Sequence, residues 1–391
     1  MRRSPAPVRQ TSWRQPHEEA PLPRPHHRAH PGGLFSTGNR AGDAPVLVLL
    51  HRTGPGSDYT GPRLTGLTTD DWNVTVVSDE LNYPWEVRIS DGTLIVTEVE
   101  GTIAMIDVDG SLERYDVRTS DPVRHDGGSG LMGLALSDDF ADTGTAYIYY
   151  TYADGSALAN RIAQVHYDGK AWTETRSLLD GIPGHELYNG GRLAIGPDGN
   201  LYATTGWVHN EDFPQDRDSL AGKILRMSLE GRPVAGNPFA GSYVYSYGHR
   251  NPQGLAWDSD GRLYSAEHGE SAHDEINRIV PGGNYGWPLV QDDSRRAGMQ
   301  APFISSGSST WAPSGIAFAG NDLLVAALGA QILYAVNEDK DGLEPVFSSG
   351  ERARAVLPYQ DGVYVTSTNT SPRATTRSDT ADRLLWIQPA R

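Results

Sequence analysis

"GPDGNLYATTG", residues 196–206, decides how the rest of the chain is read. Its Asp-Gly suits a tight hairpin turn, because glycine accepts positive φ and the Asp side chain caps its own backbone. A short run of apolar, aromatic and β-branched residues follows, as expected of a strand. The signature returns as "SDGTLIVTE" at Asp91, "DSDGRLYSAE" at Asp260, "AGNDLLVAAL" at Asn321 and "YQDGVYVTS" at Asp361. A looser copy, "SDDFADTGTAYIYYTY", surrounds Asp142. A second strand often follows, as in "GTIAMIDVDG" after Glu100 and "AQILYAVNED" after Gly329.

These copies define about six units of roughly 40 to 60 residues, the period of propeller blades. Radial repetition leaves only short, protected sheet edges. The expected fold is therefore all-β, a six-bladed β-propeller over 71–391. "WNVTVVSD" (72–79) and "DRLLWIQP" (382–389) are expected to share one blade and close the ring. The competing arrangement is a pair of β-sandwiches. The chain has 391 residues with 44 Gly and 26 Pro, and no long stretch carries apolar residues at helical spacing.

The first 70 residues read differently. Residues 1–40 hold seven Arg against Glu18 and Glu19, so this segment carries +5 and the remainder −21. Rich in Pro, Arg and His, it cannot bury a core and is expected to be a disordered N-terminal extension. Ala44–Leu50, "APVLVLL", could be the apolar part of a degenerate export signal. The net charge of −16 argues against nucleic acid as a partner. Cysteine is absent, which removes disulfides, thiolate metal sites and cysteine nucleophiles. No apolar run reaches membrane-spanning length. An extracytoplasmic location is expected.

Candidate chemistry sits in the loops. In "GHRNPQGLAW" (248–257), the planar guanidinium of Arg250 suits a carboxylate or quinone oxygen. In "EHGESAHDEINRI" (267–279), hard oxygen donors beside exposed carbonyls suit calcium. A His/carboxylate zinc or manganese site is the rival metal reading. Asp274 and Glu275 could equally cap turns or pair with Arg.

Taken together, "GHRNPQGLAW", "EHG…DEINRI…GGNYGWP", "GKILRM", "NGGRLAIGPDGNLY" and "PSGIAF" resemble the soluble glucose/sorbosone dehydrogenase family. The likeness runs in order from Tyr83 to "RARAV" (352–356) and the last strand. The resemblance implies a six-bladed quinoprotein that binds pyrroloquinoline quinone and calcium. It implies quinone contacts from Arg250, Asn251, Thr310, Arg352 and Arg354. It places the carbonyls of Gly269 and Glu270 on a catalytic calcium, and Glu275 with the Tyr285 carbonyl at a second, structural one. It implies a sugar substrate and a diffusible electron acceptor.

The chain also departs from the family pattern. The family's base is a His directly before its "NGGR"-like segment, where this chain has Tyr188. A family Gln is Gly128, a family Lys is Gly329, and a family Asp is Trp207. His185, three residues before Tyr188, is the expected base, with Glu186 able to orient it; His209 and His268 stand in reserve. Imidazole, with a pKa of about 6.5, suits proton abstraction better than a phenol at about 10. Two other functions compete. One is a metal-dependent propeller lactonase using Glu267, His268 or Glu275. The other is a non-catalytic carbohydrate-binding propeller using faces such as Trp207, Trp287 and Trp311.

Overall fold

The computed structural model of the protein describes residues 58–292, 296–371 and 381–390. The candidate export segment Ala44–Leu50 lies outside them. Among the described residues the structure is all-β, with helix confined to single turns at Thr69–Asp71 and Phe140–Thr143. Four sheets have four strands each and one has eight. The eight-stranded sheet is two antiparallel meanders, 84–118 and 131–184. A short parallel pairing of Val117 with Trp172 and Arg118 with Thr173 joins them.

The first strands of the meanders are Pro84–Ser90, Leu131–Leu136, Gly190–Ile195, Pro252–Trp257, Pro313–Ala319 and Ala353–Tyr359. Each packs on the next, and the last packs on the first. The sheets are thus propeller-like around an axis, and a sandwich pair is excluded. Glycine makes the close approach at the axis possible. A Cβ on Gly133 would lie 2.3 Å from the Gly191 carbonyl oxygen, and one on Gly254 would lie 2.5 Å from that of Ser314. Apolar side chains fill the spaces between sheets, as where Tyr149, Ile162 and Leu179 meet Leu193, Leu201 and Leu225.

The repeat in the sequence corresponds to one structural position. Each Asp-Gly or Gly-Asn copy is the connection from the first to the second strand of a meander. Between Ser90 and Thr93, Asp91 (φ 47°) and Gly92 (φ 86°) form a two-residue mirror-image turn, whose twist matches the flanking strands. The looser copy near Asp142 becomes the turn of helix Phe140–Thr143, ended by Gly144 in the left-handed region. Strands Trp72–Leu81 and Asp382–Pro389 pair antiparallel in one sheet, as expected. Residues 58–70 are seated on the sheets: Leu64 is fully buried, and its N–H donates to Asp322 Oδ2 (2.6 Å).

Candidate active site

Antiparallel meanders decide where the loops go. The start of each first strand and the connection from second to third strand share one end, opposite the Asp-Gly turns. Tyr188, Arg250–Asn251, Thr310 and Arg352 all lie just before a first strand. Trp207 and His209, the stretch His268–Asp274, and Gly329 all lie in second-to-third connections. Residues far apart in sequence therefore gather on one rim.

Arg250 is the centre of this rim. It is buried, with its guanidinium carbon 4.6 Å from the ring centre of Tyr188, 5.2 Å from Trp287 and 5.6 Å from Trp207. Aromatic faces attract such a cation through their quadrupoles. Its Nη1 donates to the His268 carbonyl (3.2 Å), while its buried Nε has no acceptor among the described residues. Asn251 ties the segment down: its Oδ1 accepts the Gly190 N–H (3.0 Å) and its Nδ2 lies 3.3 Å from His268 Nδ1.

Arg354 lies deeper, fully buried on its strand. Its partners are neutral: Gln253 Oε1 (2.9 Å), Ser314 Oγ (3.3 Å) and Tyr83. Its buried Nε has no acceptor among the described residues. Burial, with the cations of Arg352 and Arg192 nearby, pushes its pKa down to about 10. Arg192 differs, since it pairs with buried Glu86 and lies 4.1 Å above the Trp85 ring. Arg352 Nη1 reaches the Leu328 carbonyl (3.4 Å), and Thr310 is exposed, donating to the Ser271 carbonyl (2.9 Å).

The rings outside Arg250 form one cluster. His209 lies 4.7 Å from His185, 4.8 Å from Tyr188 and 5.0 Å from Trp207, centre to centre. Trp207 and Trp287 are buried, so neither offers an open face for a sugar. Trp311 is half-buried. His185 Nδ1 accepts the Leu187 N–H (3.1 Å), which places the proton of its neutral ring on Nε2. Glu186 is exposed, and its carbonyl accepts the Gly128 N–H (2.6 Å).

The acidic loop splits into two roles. Asp274 accepts the N–H groups of Gly269 (3.0 Å), Trp311 (2.7 Å) and Ala312 (2.8 Å), so it fastens two rim loops together. Desolvation raises its pKa even against these bonds. Glu267 accepts from His249 Nδ1 (2.8 Å) and the Arg250 N–H. Glu275 faces Glu267 across the strand pair, and its pKa is raised by burial first and by the Glu267 charge second. Arg250, Gly269, Glu275 and Tyr285 line one small cavity there. A buried and a half-buried carboxylate, Glu267 and Glu275, beside the loop 268–274 are hard oxygen donors of the kind that fit a hard cation. Glu270 stands apart, with its carboxylate 3.4 Å from Gln291 Nε2. Among the described residues no three His, Cys, Asp or Glu side chains converge as metal ligands.

Residues 81–375 match the family model for glucose/sorbosone dehydrogenase. The chain belongs to the glucose/sorbosone dehydrogenase family. It is 37% identical over 202 residues to quinoprotein glucose dehydrogenase B of Acinetobacter calcoaceticus, a stretch covering 43% of this chain and 42% of that protein. It is 30% identical over 337 residues to an aldose sugar dehydrogenase of Escherichia coli, covering 76% of this chain and 90% of that protein. The fold matches the quinone (PQQ)-bound aldose sugar dehydrogenase of Streptomyces coelicolor with a TM-score of 0.74. That match has 36% identity and covers 81% of this chain and 98% of the other.

Within this glucose/sorbosone dehydrogenase fold, three features escaped the reading of the sequence. One is the aromatic box around Arg250, whose members come from three separate loops. Another is the axial Glu86–Arg192 pair, invisible until the innermost strands are known. The third is Lys223, fully buried in "GKILRM", whose Nζ donates to the carbonyls of Phe213 (2.7 Å), Ala221 (2.7 Å) and Pro214 (3.2 Å). A lysine before an apolar run ordinarily signals a solvated strand end, so no local pattern marked it.

Proposed function

We propose that this protein is a quinone-dependent oxidoreductase that oxidises an aldose or related polyol, built as a six-bladed propeller with pyrroloquinoline quinone at its rim. Counting the eight-stranded sheet as two blades supports the number six. The observation that carries the proposal is the pair of buried guanidiniums, Arg250 and Arg354: among the described residues they meet aromatic rings and neutral oxygens and form no salt bridge, Asp274 acting on Arg250 only at longer range. A buried charge without a counter-ion is costly, so the site favours a planar polyanion. A quinone carrying carboxylates matches that need, and arginine forks suit such oxygens.

Arg352 and Arg354 would hold the carboxylates, with Arg250, Asn251 and Thr310 around the rest of the ring system. The carbonyls of Gly269 and Glu270 would face a catalytic calcium, with Glu275 and the Tyr285 carbonyl near a second. When bound, the quinone supplies the acceptor for a hydride from the substrate carbon. The protein's part is to exclude water with Tyr188, Trp207 and Trp287, to orient with Arg250, and to hold the hydroxyl proton on a rim imidazole, His185 or His209. A diffusible acceptor would reoxidise the cofactor, and the site would work outside the cytoplasm. The absence of a converging side-chain triad among the described residues weighs against a water-activating lactonase centre.

Calorimetric titration of calcium-loaded protein with pyrroloquinoline quinone, followed by dye reduction across aldoses, tests this reading. Saturable binding and sugar-dependent dye reduction are expected. No binding would refute it and bring the lactonase and sugar-binding readings forward.

A further inference from the structure

We infer that His209 is the proton acceptor of this site and that the turn carrying it is built to hold it there. The inference rests on the oxidoreductase reading above. Trp207–Asn210 is a tight turn closed by the Asn210 N–H on the Trp207 carbonyl (2.9 Å). Its two central residues, Val208 (φ 49°) and His209 (φ 58°), are both left-handed. Such mirror-image turns normally take Asn or Gly. A left-handed backbone is unfavourable for an L-residue, and a β-branched valine is a poor choice for it. The turn persists because its surroundings over-determine it. The Trp207 N–H donates to the Arg250 carbonyl (2.7 Å), the Val208 N–H points at the Tyr188 carbonyl (3.4 Å), and the Val208 side chain is buried. Tyr188 is itself left-handed (φ 61°), and a Cβ on Gly206 would stand 1.7 Å from its carbonyl oxygen. Left-handed backbone at Tyr188, Val208 and His209, gathered beside a buried guanidinium, is the pattern of a functional rim.

The turn sends His209 outward while Val208 goes inward. His209 is exposed, and its ring meets His185, Tyr188 and Trp207 at once. Tyr188 and Trp207 lie over Arg250, so His209 is one ring removed from the guanidinium on the solvent side. The titratable side chains its ring meets are His185 and Tyr188 from the preceding loop, with Arg250 beneath Tyr188 and Trp207; Glu211 and Asp212 follow it along its own loop. His185 is the weaker acceptor, because the Leu187 N–H occupies its Nδ1 and leaves Nε2 as a donor in the neutral ring. Tyr188 would need a far lower pKa than a phenol's ordinary value of about 10. In the step assigned to His209, the substrate O–H proton passes to a ring nitrogen. With quinone bound, the C–H hydrogen would leave with both bonding electrons to it and the C–O bond would become C=O, so that the sugar would be oxidised and the quinone reduced.

The test uses the full chain loaded with calcium and quinone, comparing wild type with His209→Gln and His209→Ala on D-glucose or the best aldose found. Loss of a general base lowers kcat by about 10²–10⁴-fold. The inference expects that loss with quinone affinity kept, disappearance of the rise of kcat/KM with pH through the histidine range, and partial recovery of His209→Ala by added imidazole. An independent readout is the His209 ring signal in the NMR spectrum, assigned by its loss in His209→Gln, which should move when sugar is added. Variants that keep kcat within threefold and retain the pH limb would overturn it. A wild type that binds neither quinone nor sugar would instead sink the oxidoreductase reading, and this inference with it.

Discussion

The two ends of the ring of first strands differ in how far left-handed backbone falls on residues other than glycine. At the Asp-Gly end, Gly92, Gly199, Gly261 and Gly320 take positive φ values, as turn chemistry prescribes, joined by Asp91 and Gln360. At the rim, Gly190, Gly222 and Gly248 do so too, but so does a longer series of non-glycine residues: Tyr188, Val208, His209, Ser271, His273, Ala312 and Gln331. The Asp-Gly end is locally self-consistent and would form these turns in many proteins. The rim is not; its conformations hold only because neighbouring loops bond to one another, as Asp274 does across two of them. The charges differ likewise. Near the Asp-Gly end, Arg226 pairs with Asp198 and Arg262 with Asp258. At the rim and just beneath it, Arg250 and Arg354 form no salt bridge among the described residues. One end is arranged for folding, and the other keeps unmet demands that a ligand can satisfy.

The sharpest way to break this contrast is Arg354→Met. If the buried guanidinium awaits an anion, its removal should weaken quinone binding by about 30-fold or more, the effect of truncating one partner of a buried charge pair. The unliganded protein should be as stable as wild type or more so, because an uncompensated buried charge has gone. Calorimetry and thermal melts of both forms read the two effects separately. If Arg354 only ties Gln253 and Ser314 together, the melt of the unliganded protein falls and the affinity stays.

A smaller effect compares glycines by position. Gly133→Ala places a Cβ 2.3 Å from the Gly191 carbonyl oxygen at the axis, where neither backbone can yield without disturbing the ring. Gly199→Ala meets nothing within 4 Å and suffers only its positive φ of 71°. Overpacking of a tight interior costs about 1–3 kcal/mol or more, and the left-handed penalty alone about 1–2 kcal/mol. Urea unfolding should therefore rank Gly133→Ala as the more damaging. The reverse order would mean that the axis relaxes more easily than the turns.

What was legible in the sequence follows the same divide. The Asp-Gly copies were readable because each acts within two residues of itself, and all of them fall at the same strand connection. The closing pair, Trp72–Leu81 with Asp382–Pro389, was readable because two unpaired strands at the ends of a repeat need a partner. Arg250 was singled out from its own motif, but its box was not. Tyr188, Trp207 and Trp287 become neighbours only when three loops converge. The preference for His185 as base came from its loop, and it could not foresee that the Leu187 N–H would take its Nδ1. Asp274 read as either a calcium donor or a turn cap, and its three N–H partners resolve it as a fastener.

The smallest effect concerns Lys223, which begins a third strand at the rim end and anchors the loop bearing Trp207 and His209. Burial pushes its pKa down to about 7. The unfolded chain would titrate it near the ordinary lysine value of about 10.4. Between those values the unfolded state binds more protons, so stability should rise with pH across that window, relative to a variant lacking the group. Thermal melts of wild type and Lys223→Met from pH 6 to 10 isolate this contribution, because other groups titrate alike in both. The wild-type curve should gain on the variant as the pH rises. A neutral amine has only two N–H groups for the three carbonyls of Phe213, Pro214 and Ala221. Curves that stay parallel would therefore show that the carbonyls keep the ammonium charged, and that the loop is held by charge as well as by hydrogen bonds.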